Sequence, residues 1–262
     1  MKLDVIDSDK KQNKLHFKLQ GASTSFANLV RRFAMDEVPT LAIEDVEFKD
    51  NSSAMYDEII AHRLGLIPIK TDSSSYVLKE ECTCNGEGCA KCQLKISLKS
   101  SKKGIVTAGE AESQDPKCTF ALPDMPVAKL AAKQKLDVEC TAVMGKGIEH
   151  AKWSPCLAYY KKEAIVNASN VRLDHDQKAR VQRACSTFVK TDAKIEVSEE
   201  LFTSIRAEAC LATLKEAGAE VTETDNYIFT VESWGQLSCK EILDQASDII
   251  IQKLDALKAQ LT

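Results

Sequence analysis

Ala27-Asn-Leu-Val-Arg-Arg-Phe-Ala-Met-Asp-Glu-Val-Pro-Thr-Leu-Ala-Ile-Glu-Asp-Val46, followed by Asp57-Glu-Ile-Ile-Ala-His-Arg-Leu-Gly-Leu-Ile-Pro-Ile69, decides how this chain folds. Phe26, Leu29, Val30, Phe33 and Ala34 recur at i, i+3, i+4, i+7 and i+8, which lays one apolar stripe along a helix. Ser23, Thr24 and Ser25 offer oxygens for its unpaired first amides, and Pro39 enforces its end. A strand is expected over 41–48. A second helix is expected over 55–64, with Gly65 at the left-handed position after it and Pro68 blocking continuation. Asp57 and Glu58, beside His62, read as charges complementing that helix's N-terminus rather than as acid–base groups.

Upstream, Leu3 and Val5, then Leu15, Phe17 and Leu19, alternate with polar residues around a polar turn at 7–13, the pattern of a hairpin. Downstream, 76–78 and 94–98 read as two strands joined by a cysteine-rich loop, with further short strands at 104–107, 120–122 and 136–144. Helices are expected over 174–185 and 202–217, the second ending at Gly218. Short apolar runs at 165–166, 195–197 and 221 surround them, and strand alternation returns at 227–231.

The C-terminal segment carries the strongest local signals. Ser238-Cys239-Lys240-Glu241 fits a capping box, and Leu237 and Ile242 occupy the two positions of a hydrophobic staple. Leu243, Ala246, Ile250, Leu254, Leu257 and Leu261 then recur at steps of three or four, widened by Ile249 and Ile251. A helix of about 22 residues would be roughly 33 Å long, more than one small domain normally covers. Each of the two apolar helix faces, taken singly, fits the chain's own core. Taken together with that excess length, a surface buried by another chain competes.

Composition bounds the rest. The 262 residues, 44% hydrophobic and 28% charged, suit a soluble protein of one to three domains. No run approaches the roughly 18 apolar residues of a membrane span. The first residues, Met1-Lys2-Leu3-Asp4-Val5, hold no apolar core of a secretory signal, so a cytoplasmic location is expected. A net charge of −4 without a basic stripe disfavours direct binding to a duplex.

Four of the ten cysteines crowd together as Cys82-Thr-Cys84-Asn-Gly-Glu-Gly-Cys89-Ala-Lys-Cys92. Zinc favours four thiolates in a tetrahedron, and Gly86 and Gly88 let a short loop wrap its own backbone around the ion. With no ligand position left for water, the role read here is structural. Unliganded or disulfide-paired thiols and an iron–sulfur cluster are the alternatives, the latter having other usual spacings. The six scattered cysteines read as buried apolar thiols. No His-x-x-x-His pair, phosphate-binding glycine loop or Gly-x-Ser-x-Gly elbow occurs, so no catalytic residue is assigned. A stand-alone zinc-loop nucleic-acid binder is opposed by the acidic balance. A thiol enzyme on Cys82–Cys92 would need a reactive, low-pKa thiol.

The two segments quoted at the outset resemble the signatures of the α-like assembly subunits of DNA-directed RNA polymerase, in particular the archaeal D-type branch. The cysteine quartet, Lys146-Gly-Ile-Glu-His-Ala-Lys-Trp-Ser-Pro155 and Phe229-Thr-Val-Glu-Ser-Trp-Gly235 follow in the order seen in that family. The resemblance implies an α+β fold with a discontinuous dimerisation domain, 1–42 joined to 225–262. It implies an inserted β-rich domain over 43–160 that carries the cysteine loop, and a ferredoxin-like α+β insert over 165–224. Some relatives hold iron–sulfur clusters in that insert. This chain has only Cys185 and Cys210 there, and no cluster is expected. The function implied is non-catalytic assembly: pairing with the L-type small subunit, joined by the N and P small subunits, into a platform that docks the second-largest subunit. Nucleic acid would be met only through the assembled polymerase. Phe26, Leu29, Val30 and Phe33, with Ile242, Ile249, Ile250, Leu254, Leu257 and Leu261, are the expected partner-binding residues. Arg31 and Arg32 match an arginine pair implicated in gripping the large subunit, against the plainer reading of a solvated helix face.

Overall fold

The computed structural model describes residues 1–168, 171, 173–185, 188–190 and 196–261; Ile195, in one of the expected apolar runs, lies outside them. The fold is α+β, and the chain divides into two units, 1–31 with 158–231 and 32–157 with 232–262.

The first unit is built on a four-stranded sheet. β1 (Lys2–Asp9) and β2 (Lys14–Gln20) form the expected antiparallel hairpin, turned through Asn13 at φ 52°. β9 (Cys156–Asn167) and β12 (Glu220–Ser233) complete the order β1-β2-β12-β9. Phe17 on β2 stacks on Phe229 on β12, with ring centroids 4.9 Å apart, and both are buried. On one face a polar latch crosses the sheet. The Lys18 ammonium donates to Glu163 on β9, while Asn226 Nδ2 (2.7 Å) and Thr224 Oγ1 (3.2 Å) donate to the other oxygen of the same carboxylate. The unit also holds α3 (His175–Cys185) and α4 (Ala207–Glu216), which pack on each other around Val181, Leu201, Cys210 and Leu214. Cys185 and Cys210, whose pairing the sequence left open, are joined as a disulfide. The helix pair brings their Cα atoms to 4.7 Å, inside the bonding range. Between these helices β10 (Val189–Lys190) and β11 (Glu196–Val197) form a two-stranded ladder of their own.

The second unit carries an antiparallel sheet in the order β3-β8-β4-β6, from β3 (Thr40–Asn51), β8 (Leu136–Gly145), β4 (Gln93–Ser100) and β6 (Glu112–Ser113). β5 (Gly104–Thr107) and β7 (Pro126–Leu130) pair separately. The central strand β8 is buried without a break from Cys140 to Gly145, because both of its faces are covered. One faces a core of Leu41, Ile43, Leu94, Ile96 and Leu98; the other packs Val143 with Ala42 and Trp153. α2 (Asp57–Leu66) adds Ile60 and Leu64 to that core. It runs through Gly65, which is not left-handed, and ends at Leu66 with Ile67 as its extended cap before Pro68, so the proline rather than the glycine stops it. Residues 76–78 and 120–122 are not strands. Phe120 makes a single bridge to Ile69, and Val77 only one backbone bond, to Lys91.

α1 (Thr24–Asp36) begins where Ser23 Oγ accepts from the Phe26 amide. α5 (Cys239–Gln260) begins with the expected capping box: Ser238 Oγ accepts from the Glu241 amide, and the Glu241 carboxylate accepts from the Ser238 amide at 2.8 Å. Among the described residues no helix is long and apolar enough to cross a membrane.

The latch yields a pH prediction. Burial pushes the Glu163 carboxyl up, but the Lys18 ammonium with the Asn226 and Thr224 donors outweighs it and holds the group below its ordinary 4.5. A carboxyl lowered in the folded state contributes stability above the unfolded value, and loses it as pH falls through the folded one. Glu163→Gln is therefore expected to cost about 1–2 kcal/mol at pH 7. It should also flatten the loss of stability below pH 4.5, as read by urea unfolding across a pH series.

Candidate functional site

Two arrangements stand out as sites: the cysteine quartet and the outer half of α5. The quartet lies in the segment between a short 3₁₀ turn at 79–81 and β4. That segment has too few apolar residues to fold on a core of its own. It turns through three left-handed residues, Asn85, Gly86 and Gly88. Gly88 has φ 101°, a left-handed backbone conformation that favours glycine.

All four cysteine sulfurs lie within 4.8 Å of one another. Cys82 and Cys84 are 3.4 Å apart, Cys82 and Cys89 3.5 Å, Cys84 and Cys92 3.6 Å, and Cys89 and Cys92 3.9 Å. A tetrahedral ion with metal–sulfur bonds of about 2.3 Å needs sulfur–sulfur edges of about 3.8 Å, so the donor set fits such an ion. These separations far exceed a disulfide bond, and the four are free thiols. Backbone amides point at the sulfurs, the Cys89 N–H at Cys92 Sγ (3.3 Å) and the Lys91 N–H at Cys89 Sγ (3.4 Å). The Gly88 amide, followed by the Cys82 thiol, holds the Cys84 thiol down at about 6, whereas burial pushes Cys92 up. Donors aimed at sulfur favour the thiolate that binds metal. Cys82 and Cys92 are buried, and Cys84 and Cys89 are half-buried.

The α5 stripe changes environment along its length. Ile242, Ala246 and Ile250 are buried, whereas every residue from Ile251 to Leu261 is exposed. Ile251, Leu254, Leu257 and Leu261 are 56%, 58%, 54% and 79% exposed. Of the expected partner-binding residues, Ile242 and Ile250 are buried within the chain. Ile249 is half-buried, as are Phe26, Leu29, Val30 and Phe33 on α1. Arg31 contacts Asn28 Oδ1 through Nε (3.2 Å) and Nη2 (3.0 Å), and Arg32 lies 3.6 Å from Asp36 one turn on.

Where α1 ends, Glu37 makes contacts that sequence reading did not single out. Its carboxylate receives the Lys253 ammonium of α5 at 2.5 Å and lies 3.8 Å from that of Lys146. The available signal was an acidic residue at a helix C-terminus, where the dipole disfavours it.

Comparison with known proteins gives the family to which the chain is similar. Residues 46–156 match the family described as the RNA polymerase Rpb3/RpoA insert domain. Over its whole length the chain is similar to proteins named DNA-directed RNA polymerase subunit Rpo3. The one from Pyrococcus furiosus is 35% identical across 99% of this chain and 97% of that protein. The one from Archaeoglobus fulgidus is 35% identical across 95% and 94%, and that from Methanosarcina acetivorans 33% across 100% and 98%.

Loaded with Co²⁺, the chain is expected to bind one equivalent and show intense thiolate-to-metal charge-transfer absorption. Cys84→Ser/Cys89→Ser should remove it. An unchanged spectrum in that variant would place the metal elsewhere.

Proposed function

Because the chain belongs to the Rpo3 family of DNA-directed RNA polymerase subunits, we propose that it is the non-catalytic assembly subunit that pairs with an L-type small subunit. As a polymerase subunit it is part of a nucleotidyltransferase complex acting in transcription. The observation that carries the pairing is the bare end of α5. Four large aliphatic side chains, at 251, 254 and 257 and at the C-cap Leu261, stand in water after turns that bury Ile242, Ala246 and Ile250. Exposing such a stripe is unfavourable by about 25 cal/mol per Å² of apolar surface, and a second apolar surface relieves it. Obligate subunit contacts bury roughly 2,000 Å² or more, and α1 with its half-buried Phe26, Leu29, Val30 and Phe33 adds apolar area.

The N and P small subunits join this pair, and the platform docks the second-largest subunit. Arg31 and Arg32 are candidates for that docking, since a guanidinium fork suits bidentate contacts with carboxylates. Residues 1–42 with 225–262 form the dimerisation domain in this reading, and 43–160 the inserted domain, which the family match over 46–156 supports. The run β9-α3-β10-β11-α4-β12 supports a ferredoxin-like reading of 165–224, in which the Cys185–Cys210 disulfide ties the two helices and no iron–sulfur cluster is held. The metal at Cys82, Cys84, Cys89 and Cys92 is zinc. When bound, it supplies a structural cross-link that fixes a loop lacking a core. The protein works in the cytoplasm, and its net charge of −4 fits contact with nucleic acid only through the assembled enzyme.

Expressed alone, the chain is expected to self-associate or precipitate. Co-expressed with an L-type subunit from the same source, it should elute as a 1:1 heterodimer in light scattering. A soluble monomer that ignores that partner would sink the pairing.

Leu254→Asp places a charge in the exposed stripe. It should weaken pairing at least a hundredfold while leaving metal content unchanged. The chain's own unfolding should shift by no more than about 0.5 kcal/mol, as for other surface substitutions. Loss of fold and metal together would mean that this turn belongs to the chain's own core.

A further inference from the structure

The outer half of α5 is a single helical rod whose residues beyond Ile250 are all exposed, so something other than a surrounding core must hold it in place. Beyond Ile250, Lys253 ties the rod back to α1 through an ion pair. The ammonium of Lys253 donates to Glu37 Oε1 at 2.5 Å and stands 5.1 Å from the centre of the Phe33 ring. Both contacts fall on the last turn of α1 and the residue after it, where the Glu37 amide still donates to Phe33 O at 3.1 Å.

That turn is anchored from a third element. The Ile148 amide donates to Asp36 O at 2.9 Å, satisfying a carbonyl at the open end of α1. Gly147 sits so close that a side chain there would meet Met35 O at 2.1 Å, and Lys146 reaches the second oxygen of the Glu37 carboxylate. The Lys146-Gly147-Ile148 run therefore caps α1 and flanks the carboxylate that takes Lys253. Glu37 is only 14% exposed, which keeps solvent from screening the pair fully. An acidic residue so placed at a helix C-terminus opposes the dipole and needs compensation from outside the helix. Two lysines from two other segments provide it.

From this geometry we infer that Glu37 and Lys253 form a clamp that positions the exposed α5 stripe for pairing, acting through helix orientation rather than by touching the partner. The inference rests on the pairing proposed above. It makes Glu37 a positioning residue that lies outside the apolar stripe itself. The preorganised stripe loses less freedom on pairing than a swinging helix end would, and the difference is read in affinity.

The test uses the full chain, with Glu37→Gln and Lys253→Met made singly and together. In the unpaired chain, both single variants should speed amide hydrogen exchange over 251–260, leaving exchange in β3, β4 and β8 and the metal content as they were. Unchanged exchange at 251–260 would overturn the clamp whether or not any partner binds. With the L-type subunit, each single variant should weaken pairing about three- to fivefold, the size expected for one partly exposed ion pair. The double variant should lose no more than either single one, and Lys253→Arg should retain most of the affinity. If Lys253→Met weakens pairing while Glu37→Gln does not, Lys253 touches the partner directly and the positioning role fails. If the unaltered chain itself does not pair, the pairing reading fails, and the exchange data still decide the clamp.

Discussion

Burial along α5 stops at Ile250, and much of this protein's behaviour depends on that stop. A capped, 22-residue helix needs an apolar face covered over most of its length to be stable in water. The chain covers Ile242, Ala246 and Ile250 and leaves Ile251, Leu254, Leu257 and Leu261 bare. The bare stripe directly continues a helix that is well anchored by its capping box. Beyond the buried turns, the Lys253–Glu37 ion pair ties this stretch back to α1.

The same economy appears at the opposite extreme of size in the cysteine loop. Residues 82–92 hold too few apolar side chains for a core, yet they must connect a 3₁₀ turn to β4, a strand inside the largest sheet of the second unit. Four sulfurs drawn within 4.8 Å make a centre that one ion can bind together. Three residues in the left-handed region turn this backbone, and its amides point at the sulfurs. In the first unit a disulfide between α3 and α4 does comparable work for a helix pair with a small core. The disulfide restrains a segment whose own packing is thin, and an ion at the four cysteines would do the same.

Some elements were legible from local chemistry and others were not. The hairpin, α1, α5 with its capping box, and the long strands at 40–51 and 136–145 follow from periodicity, caps and prolines that act within a few residues. The run at 76–78 had the apolar content of a strand but found no ladder partner beyond one bond to Lys91. The run at 120–122 likewise ended as one bridge to Ile69. Strand formation needs a neighbour at the right register, and no local pattern encodes that. Gly65 misled for a related reason: a glycine near a helix end signals a cap only if the backbone turns left-handed there, and here Pro68 does the stopping. Conversely, β7 carries little alternation and forms because β5 lies beside it.

What the sequence determined by itself was the set of short-range commitments. These include the caps, the helix stripes, the spacing of Cys82, Cys84, Cys89 and Cys92, and the family signatures at 27–46 and 57–69. Each depends on residues close together along the chain, so the pattern is complete in the sequence itself. Tertiary structure alone decided which part of the α5 stripe the chain keeps for itself and which it leaves open. It also decided that Cys185 bonds Cys210, and that Glu37 receives Lys253 from 216 positions away. The physical reason is the same in each case. Periodicity reports that a face is apolar or that a charge is present, but not what covers that face or answers that charge. Those depend on where distant elements happen to end.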